Sequence, residues 1–303
     1  MQLAAITGMW GLVFLTNWLG SVVNWAWEAN FDWQKIKRGV VAYAVILLLV
    51  FVFGSARVVY GDTPAGTVRV HGINETDVRG ELDHLHKLQA NDWQAFRDFT
   101  ADRRNKYLLA SEREALAGAE LVVWPEMAVY APVEDEATFF EAAAAVAREY
   151  GIYLAMPMVT SYQDDRRSVN KMVIMDPSGE IVLEHHKYGN ALQEGFAPGD
   201  GVYQIVKTPF GTLSGIVCND TNHQDVVTQA GRNGTDILLS SSLEYEGLVP
   251  MHAQMAAFRA IENGITIVRQ AGNGLSVVID PYGRVLASMN QFKSNEWVMV
   301  AQV

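Results

Sequence analysis

Basic residues and cysteine are the two components that this sequence has little of. Its 303 residues include 23 Lys and Arg against 34 Asp and Glu, a formal net charge of -11. Since no face-sized run of Lys and Arg is available to neutralise phosphates, a nucleic-acid-binding protein is excluded. The single cysteine, Cys218, cannot form an internal disulfide, so pairing does not reveal the redox compartment. A reduced thiol outside the cytosol would need burial to survive.

Charge is also missing from two long stretches near the N-terminus, residues 1–27 and 39–56. The first stretch is long enough to cross a bilayer as a helix, and its Trp18, Trp25 and Trp27 suit a membrane interface. It lacks the basic start of a signal peptide. The second stretch predicts a shorter second span. The alternatives are a buried core helix for the first stretch and a cleaved signal sequence for the second.

Three basic residues, Lys35, Lys37 and Arg38, lie between these stretches. The positive-inside rule therefore places this loop in the cytoplasm and the chain beyond residue 57 on the outer, periplasmic side of an inner membrane. The turn-rich segment Gly61-Asp-Thr-Pro-Ala-Gly66 predicts a linker. The predicted division is a membrane segment with two transmembrane helices followed by a globular catalytic domain: 1–60 and 61–303.

Beyond the linker, short apolar runs alternate with helical patterns, without internal repeats or low-complexity tracts. This alternation predicts an α/β protein with layered sheets and helices. The turns beginning at Asp176-Pro and Asp280-Pro predict two hairpins and therefore mixed sheets. The predicted strands cover 68–73, 121–124, 153–159, 171–175, 181–185, 213–217, 237–240, 265–269 and 276–279. The predicted helices cover 92–117, 137–149, 223–232 and 252–263.

Cys218 ends one of these apolar strands, immediately before the turn Asn219-Asp220-Thr221-Asn222. A strand end of this kind exposes the sulfur at a sheet edge, beside main-chain N–H groups that could stabilise an oxyanion. A lone free cysteine is, however, more often a small core residue than a nucleophile. Cys218 therefore identifies a site only if partners are found elsewhere in the chain.

Two charged residues supply such partners, because Glu126 and Lys187 also stand where apolar strands end. Taken singly, each is more typical of a solvated surface residue. Together with Cys218 they provide a base for the thiol proton and a cation for an oxyanion, so neither a histidine nor a cofactor is needed. The adjacent His185 and His186 point to opposite faces of a strand and lack a third ligand, so no metal site is predicted.

The order of these residues along the chain resembles that of a known enzyme family. Trp124-Pro125-Glu126, Lys187 and Cys218 on successive strands, with the segments 252–264, 267–276 and 280–284, resemble the nitrilase (carbon–nitrogen hydrolase) superfamily. The resemblance implies an α-β-β-α sandwich and a Glu–Lys–Cys triad. Trp-Pro-Glu alone would be a weak motif, whereas all the elements in order are specific.

Within that superfamily, the two uncharged stretches resemble the helices that precede the catalytic domain of apolipoprotein N-acyltransferases. That branch implies a phospholipid acyl donor, a lipoprotein acceptor and a periplasmic catalytic domain. Its additional glutamate corresponds to Glu194, offset by one position, and its usual Tyr-Glu after the nucleophile is replaced by Asn219-Asp220. Since the family's membrane bundle is larger than two spans, we expect a shortened relative or a fragment.

Three functions follow as hypotheses. The favoured one is an N-acyltransferase that forms a thioester on Cys218 and passes the acyl group to an amine. The second is a membrane-anchored amidase or nitrilase, in which water takes the place of the amine. The third is a non-catalytic membrane protein that retains the fold for binding. Apolar residues that follow the strand at 237–240 favour an acyl chain over a small polar amide, although a packing or lid role would be equally common: Leu243, Tyr245, Leu248, Val249 and Met251.

Overall fold

The chain begins with three helices that lie apart from its sheets. The computed structural model describes residues 1–61, 67–294 and 297–303, so most of the predicted linker at 61–66 lies outside the described residues. The helices are α1, Ala4–Thr7, α2, Met9–Glu28, and α3, Trp33–Val59. The stretch predicted as one helix is divided at Gly8, whose positive φ of 63° ends α1.

Helices α2 and α3 form an antiparallel hairpin, and an aromatic contact joins them. The rings of Trp18 and Tyr43 meet edge to face with centroids 5.2 Å apart, and the Tyr43 hydroxyl donates to the carbonyl of Leu15 at 3.3 Å. Among the helices of the described residues, α3 alone is long and apolar enough to cross a membrane. Most of its apolar side chains are exposed, so no other part of the described chain covers them.

Two mixed sheets form the rest of the molecule. In the first, the strand order is β13-β1-β2-β4-β5-β6 with β3 added beside β4; in the second it is β12-β11-β10-β9-β8-β7. The strands of the first sheet are β1 Arg69–Ile73, β2 Leu121–Val123, β3 Val129–Pro132, β4 Tyr153–Ser161, β5 Val169–Met175, β6 Ile181–His186 and β13 Val298–Gln302. Those of the second are β7 Val206–Thr208, β8 Gly211–Val217, β9 Ile237–Leu243, β10 Thr266–Gly272, β11 Leu275–Ile279 and β12 Val285–Asn290.

The remaining helices pack around the two sheets. They are α4 Val78–Asn91, α5 Trp93–Leu116, α6 Glu136–Tyr150, α7 Gln224–Arg232 and α8 Val249–Asn263. Helices α5 and α6 share an apolar cluster with the first sheet, and α7 and α8 share one with the second. The α-β-β-α sandwich expected from the sequence is therefore confirmed.

The two-residue period of the strands explains why both faces of each sheet are buried. In β2, Leu121 and Val123 belong to the cluster between the sheets, whereas Val122 belongs to the cluster under α5 and α6. The second sheet repeats this division, with Leu239 between the sheets and Leu238 under α7 and α8. Strands buried on both faces appear in the sequence as the continuous apolar runs from which they were predicted.

Both predicted hairpins are present. Strands β5 and β6 are antiparallel, as are β11 and β12. In each turn an aspartate Oδ1 accepts main-chain N–H groups two and four residues further on, which closes the turn around a glycine at positive φ. The turn residues are Asp176 with Gly179 and Asp280 with Gly283.

The helical segment contacts the sandwich at one end of α8. The Gln2 side chain donates to the Tyr282 carbonyl at 2.6 Å, and the Met9 N–H donates to Glu262 Oε1 at 2.8 Å. Glu262 also pairs with Arg259, at 2.5 Å. The Arg259 guanidinium in turn donates to the carbonyl of Thr221 at 3.0 Å, immediately beyond Cys218. A continuous set of polar contacts thus joins the N-terminal helices to the loop that carries the cysteine.

Candidate active site

Three strand ends converge at one end of the sandwich. Glu126 follows β2, Lys187 follows β6 and Cys218 follows β8. Lys187 bonds both Glu126 and Glu194 from the loop after β6, and Cys218 lies close enough to Glu126 and Lys187 for their charges to shift its pKa. The first two belong to one sheet and the cysteine to the other, so the site lies across the interface between the sheets.

Glu126 is almost fully buried, with 2% of its surface exposed. Its Oε1 accepts from the Asn170 amide at 2.9 Å and from Lys187 Nζ at 2.7 Å, and its Oε2 accepts from the Leu243 N–H at 3.0 Å. A buried carboxylate held by three donors has a fixed direction, as a proton acceptor requires. Asn170 precedes the strand start predicted from the sequence and was not recognised there as a partner.

Lys187 is the cation of the cluster and is 1% exposed. Its Nζ contacts Glu194 Oε2 in addition to Glu126. Burial alone would lower the pKa of Lys187, but the negative charges of Glu126 and Glu194 outweigh it and hold the pKa above its ordinary value. Lys187 therefore keeps its charge beside the sulfur. Glu194 is exposed, and partial desolvation raises its pKa despite Lys187.

Cys218 occupies the strained first position of a short 3-10 helix, Cys218–Asn222, with a φ of 48°. A positive φ is unfavourable for a residue with a side chain, and such strain is concentrated at functional sites. Glu126 and the main chain of Leu243 lie beside the thiol and influence its pKa. Burial and the charge of Glu126 raise the pKa of the Cys218 thiol to about 12, against a smaller opposing effect of Lys187. The resting thiol is therefore neutral, and it needs a base at the moment of reaction.

Asp220 joins the loop that follows Lys187 to the turn that begins at Cys218. Its Oδ1 accepts the N–H groups of Tyr188 and Gly189 at 3.0 and 2.6 Å, and its Oδ2 accepts from Val217 at 3.1 Å and bonds His185 Nε2 at 2.8 Å. The carboxyl group has no exposed surface. In the sequence, Asp220 was distinguished only as part of a turn and as a departure from the family pattern; the structure gives it a positioning role.

A cavity of about 330 Å³ opens beside the sulfur. Of the apolar residues expected near Cys218, Leu243, Tyr245 and Leu248 line it, whereas Val249 and Met251 do not. The other lining residues are mainly polar: Asn190, Glu194, Cys218, Asn219, Thr221, Asn222, Glu244, His252 and Arg269. The cavity therefore offers apolar surface to an acyl chain and hydrogen-bonding groups to a polar substrate.

Three of these lining residues, Glu244, His252 and Arg269, were missed at the level of the sequence. Glu244 follows β9 and pairs with Arg269 of β10, and His252 Nδ1 lies 3.0 Å from both Glu244 carboxylate oxygens. Glu244 and Arg269 are 1% and 2% exposed. The signal that selected Glu126 and Lys187, a charge at the end of an apolar run, also applies to Glu244 and Arg269.

The histidines near the site are engaged with carboxylates. His185 is buried against Asp220, while its neighbour His186 is exposed and bonds Glu184 at 2.8 Å. Across residues 1–61, 67–294 and 297–303, no group of three or more His, Cys, Asp or Glu side chains is arranged to hold a metal ion.

Sequence comparison gives the class of protein. The pattern of the carbon-nitrogen hydrolase family matches residues 71–303, and the chain belongs to this family, the nitrilase superfamily of enzymes. Two curated relatives are apolipoprotein N-acyltransferases, from Rickettsia typhi with 22% identity over 96% of this chain and from Geobacter metallireducens with 24% over 94%. The chain spans 60% and 58% of their respective lengths.

Solved structures share the fold. An amidase from Nesterenkonia sp. aligns with a TM-score of 0.61 and 20% identity, covering 80% of this chain and 92% of the amidase. Nit3 of Saccharomyces cerevisiae, a nitrilase-superfamily member, aligns with a TM-score of 0.62 and 16% identity over 79% of this chain and 90% of Nit3. Both cover mainly the sandwich, so they establish its fold.

Proposed function

We propose that this protein is a membrane-bound N-acyltransferase that moves a fatty acyl group from a phospholipid, through a thioester on Cys218, to the N-terminal amine of a lipoprotein. The observation that carries the proposal is the buried ion pair of Glu126 with Lys187, 2.7 Å between Oε1 and Nζ, close enough to Cys218 for both charges to act on its thiol. The names of the curated relatives that align with nearly the whole chain support the choice of acceptor.

In the first half-reaction, Glu126 takes the thiol proton while the sulfur attacks the ester carbonyl. The S–C bond forms and the C–O bond breaks, and Glu126 returns the proton to the departing oxygen to give a lysophospholipid. The charge that develops on the carbonyl oxygen is stabilised by Lys187 and by main-chain N–H groups beside the sulfur. Glu194 helps to keep Lys187 positively charged during this step.

In the second half-reaction, the acceptor nitrogen attacks the thioester carbon. The C–N bond forms, the C–S bond breaks and Cys218 regains its proton through Glu126. A thioester suits this relay because an amine attacks it readily and an ester can form it. The product is an N-acylated N-terminus and the free enzyme.

The N-terminal helices fit this chemistry because a two-tailed lipid would stay in the bilayer while its ester reaches the sulfur. We propose residues 1–60 as a membrane segment, with α2 and α3 as two transmembrane helices, and 61–303 as the catalytic domain. The basic residues Lys35, Lys37 and Arg38, expected in a loop, lie in the first turns of α3. By the positive-inside rule we propose that this end of α3 faces the cytoplasm and that the catalytic domain faces the periplasm.

The experiment that tests the proposal is intact-mass spectrometry of the protein purified from membranes. We expect a covalent adduct of fatty-acyl mass in the wild type and none in Cys218→Ala. Because the chain has one cysteine, an adduct that is released by hydroxylamine is located on Cys218. A wild-type protein that carries no adduct after incubation with phospholipid would contradict the transferase.

A second candidate function, amide hydrolysis, is favoured by the polar side of the cavity. Asn190, Asn219 and Asn222 lie there with Glu194, and such groups can hydrogen-bond a small amide. In that reaction ammonia leaves and water attacks the thioester, with the same triad. Release of ammonia from short aliphatic amides, without an acyl adduct from phospholipid, would favour the hydrolase.

A further inference from the structure

A second acid–base cluster lines the cavity beside Cys218. It consists of His252 near the start of α8, Glu244 after β9 and Arg269 in β10. Glu244 is held by Arg269 at its carboxylate and by Arg79 at its carbonyl, at 2.8 Å from Nε. The carboxylate in turn fixes the imidazole through Nδ1. This is the arrangement of an orienting acid with a histidine base.

The hydrogen bonds define the protonation of His252. A carboxylate oxygen only accepts, so Nδ1 carries the hydrogen and Nε2 has a free lone pair. Nε2 has no hydrogen-bond partner among the described residues, and the imidazole lines the cavity with 23% of its side chain exposed. Burial lowers the pKa of His252, and the N-terminal turn of α8 also disfavours a cation.

The second half-reaction must remove two protons from the acceptor nitrogen, and Glu126 transfers only one of them. Glu126 moves a single proton from the acceptor nitrogen to the Cys218 sulfur, after it has returned the first to the leaving oxygen. An α-amine has a pKa of about 7.7–8.0, so at about pH 7 it arrives mainly as an ammonium ion. That ion must lose a further proton before its nitrogen can attack.

We propose that His252, oriented by Glu244 and Arg269, accepts this additional proton from the acceptor's ammonium group and passes it to solvent. The inference rests on the proposed function, since a water acceptor in a hydrolase carries no such proton. The other ionisable groups that line the cavity are Glu244, Arg269, Tyr245, Glu194 and Cys218. With Glu244 paired to Arg269, the imidazole is the group on this wall that is free to accept a proton.

The test is the partition of the acyl-enzyme between transfer and hydrolysis in His252→Gln. The full chain is acylated with p-nitrophenyl butyrate, the nitrophenolate burst reports acylation, and mass spectrometry counts acylated glycinamide against butyrate. Without His252 only the neutral amine reacts, which is about a tenth of the total at about pH 7. We therefore expect the transfer-to-hydrolysis ratio for glycinamide to fall about tenfold at about pH 7 and to equal that of the wild type at about pH 9.

Hydroxylamine and a matched variant separate this role from a structural one. Hydroxylamine is mainly unprotonated near neutral pH, so its transfer ratio should be the same in His252→Gln and the wild type. His86→Gln, which changes an exposed histidine on α4, should behave as wild type with both acceptors. Added imidazole should restore glycinamide transfer in His252→Ala, where the deleted ring leaves room.

The outcomes are distinguishable. Suppose that His252→Gln shows the same nitrophenolate burst as the wild type. If its transfer-to-hydrolysis ratio then falls equally for glycinamide and hydroxylamine, or if the fall persists at about pH 9, the role of His252 is overturned and the transferase stands. Absence of a burst in the wild type overturns the proposed function and this inference with it. A selective loss with glycinamide that disappears at high pH supports both.

Discussion

Replacing Glu126 by Gln should make Cys218 easier to alkylate while it abolishes acyl transfer. The exchange keeps the shape of the side chain and removes its charge, which is one of the two main causes of the high thiol pKa of about 12. Lys187 would remain charged because Glu194 stays in contact with it. The sulfur would then face a cation without the opposing carboxylate.

The size of the effect follows from the electrostatics. A unit charge about 4 Å away is worth about 4 kcal/mol at an effective dielectric constant of about 20, which corresponds to about 3 in pKa. Since the sulfur borders an open cavity, solvent screening reduces this, and we expect a thiol pKa of about 10. The thiolate fraction at about pH 8 would rise about a hundredfold, and the lower nucleophilicity of a less basic thiolate leaves about a tenfold faster alkylation.

Acylation should change in the opposite direction, because it needs a proton carrier as well as a thiolate. We expect acyl-enzyme formation in Glu126→Gln to fall by about a hundredfold or more. Both rates are measurable by intact mass, with iodoacetamide for alkylation, since Cys218 is the sole thiol. Glu136→Gln, which removes a carboxylate from a different ion pair with Lys171, is the matched control and should change neither rate. Slower or unchanged alkylation in a folded Glu126→Gln protein would refute the reasoning.

Three further predictions concern the surroundings of the triad. Glu194→Gln should lose acyl-enzyme formation with an unchanged circular dichroism spectrum, because the carboxylate on Lys187 is removed; a thioester yield equal to that of the wild type, with Cys218→Ala as zero, would exclude Glu194 from the mechanism. Asp220→Ala should lower the free energy of unfolding by about 3 kcal/mol, because buried N–H groups lose their acceptor. In a domain of this size that is about 10 °C in thermal denaturation, and a change below about 2 °C would contradict the positioning role. Protease added to right-side-out spheroplasts should digest the domain after residue 61, and its protection would reverse the proposed topology.

Much of the sheet framework could be predicted from the sequence because buried strands are continuous apolar runs. Each predicted strand and helix of the globular part occurs, with ends that differ by a few residues. The strands that were missed are short or lie at or near sheet edges, where fewer positions need to be apolar: β3, β7, β12 and β13. Helix α4 was missed because it buries few residues and is otherwise polar.

The membrane segment shows where local pattern was insufficient. An uncharged run indicated a single helix from the first residue, but Gly8 adopts a positive φ that divides it. The second transmembrane span remains a proposal.

The sequence by itself determined that Glu126, Lys187 and Cys218 stand at strand ends, because a charge or thiol that closes an apolar run marks the point where the strand ends. Only the tertiary structure decided how these strand ends meet. The residues that contact Cys218 are separated from it by tens of positions in the chain and come from both sheets, so their distances depend on how the sheets pack. The raised thiol pKa and the orientation of His252 by Glu244 are consequences of those distances, since electrostatic and hydrogen-bond energies depend on separation in space.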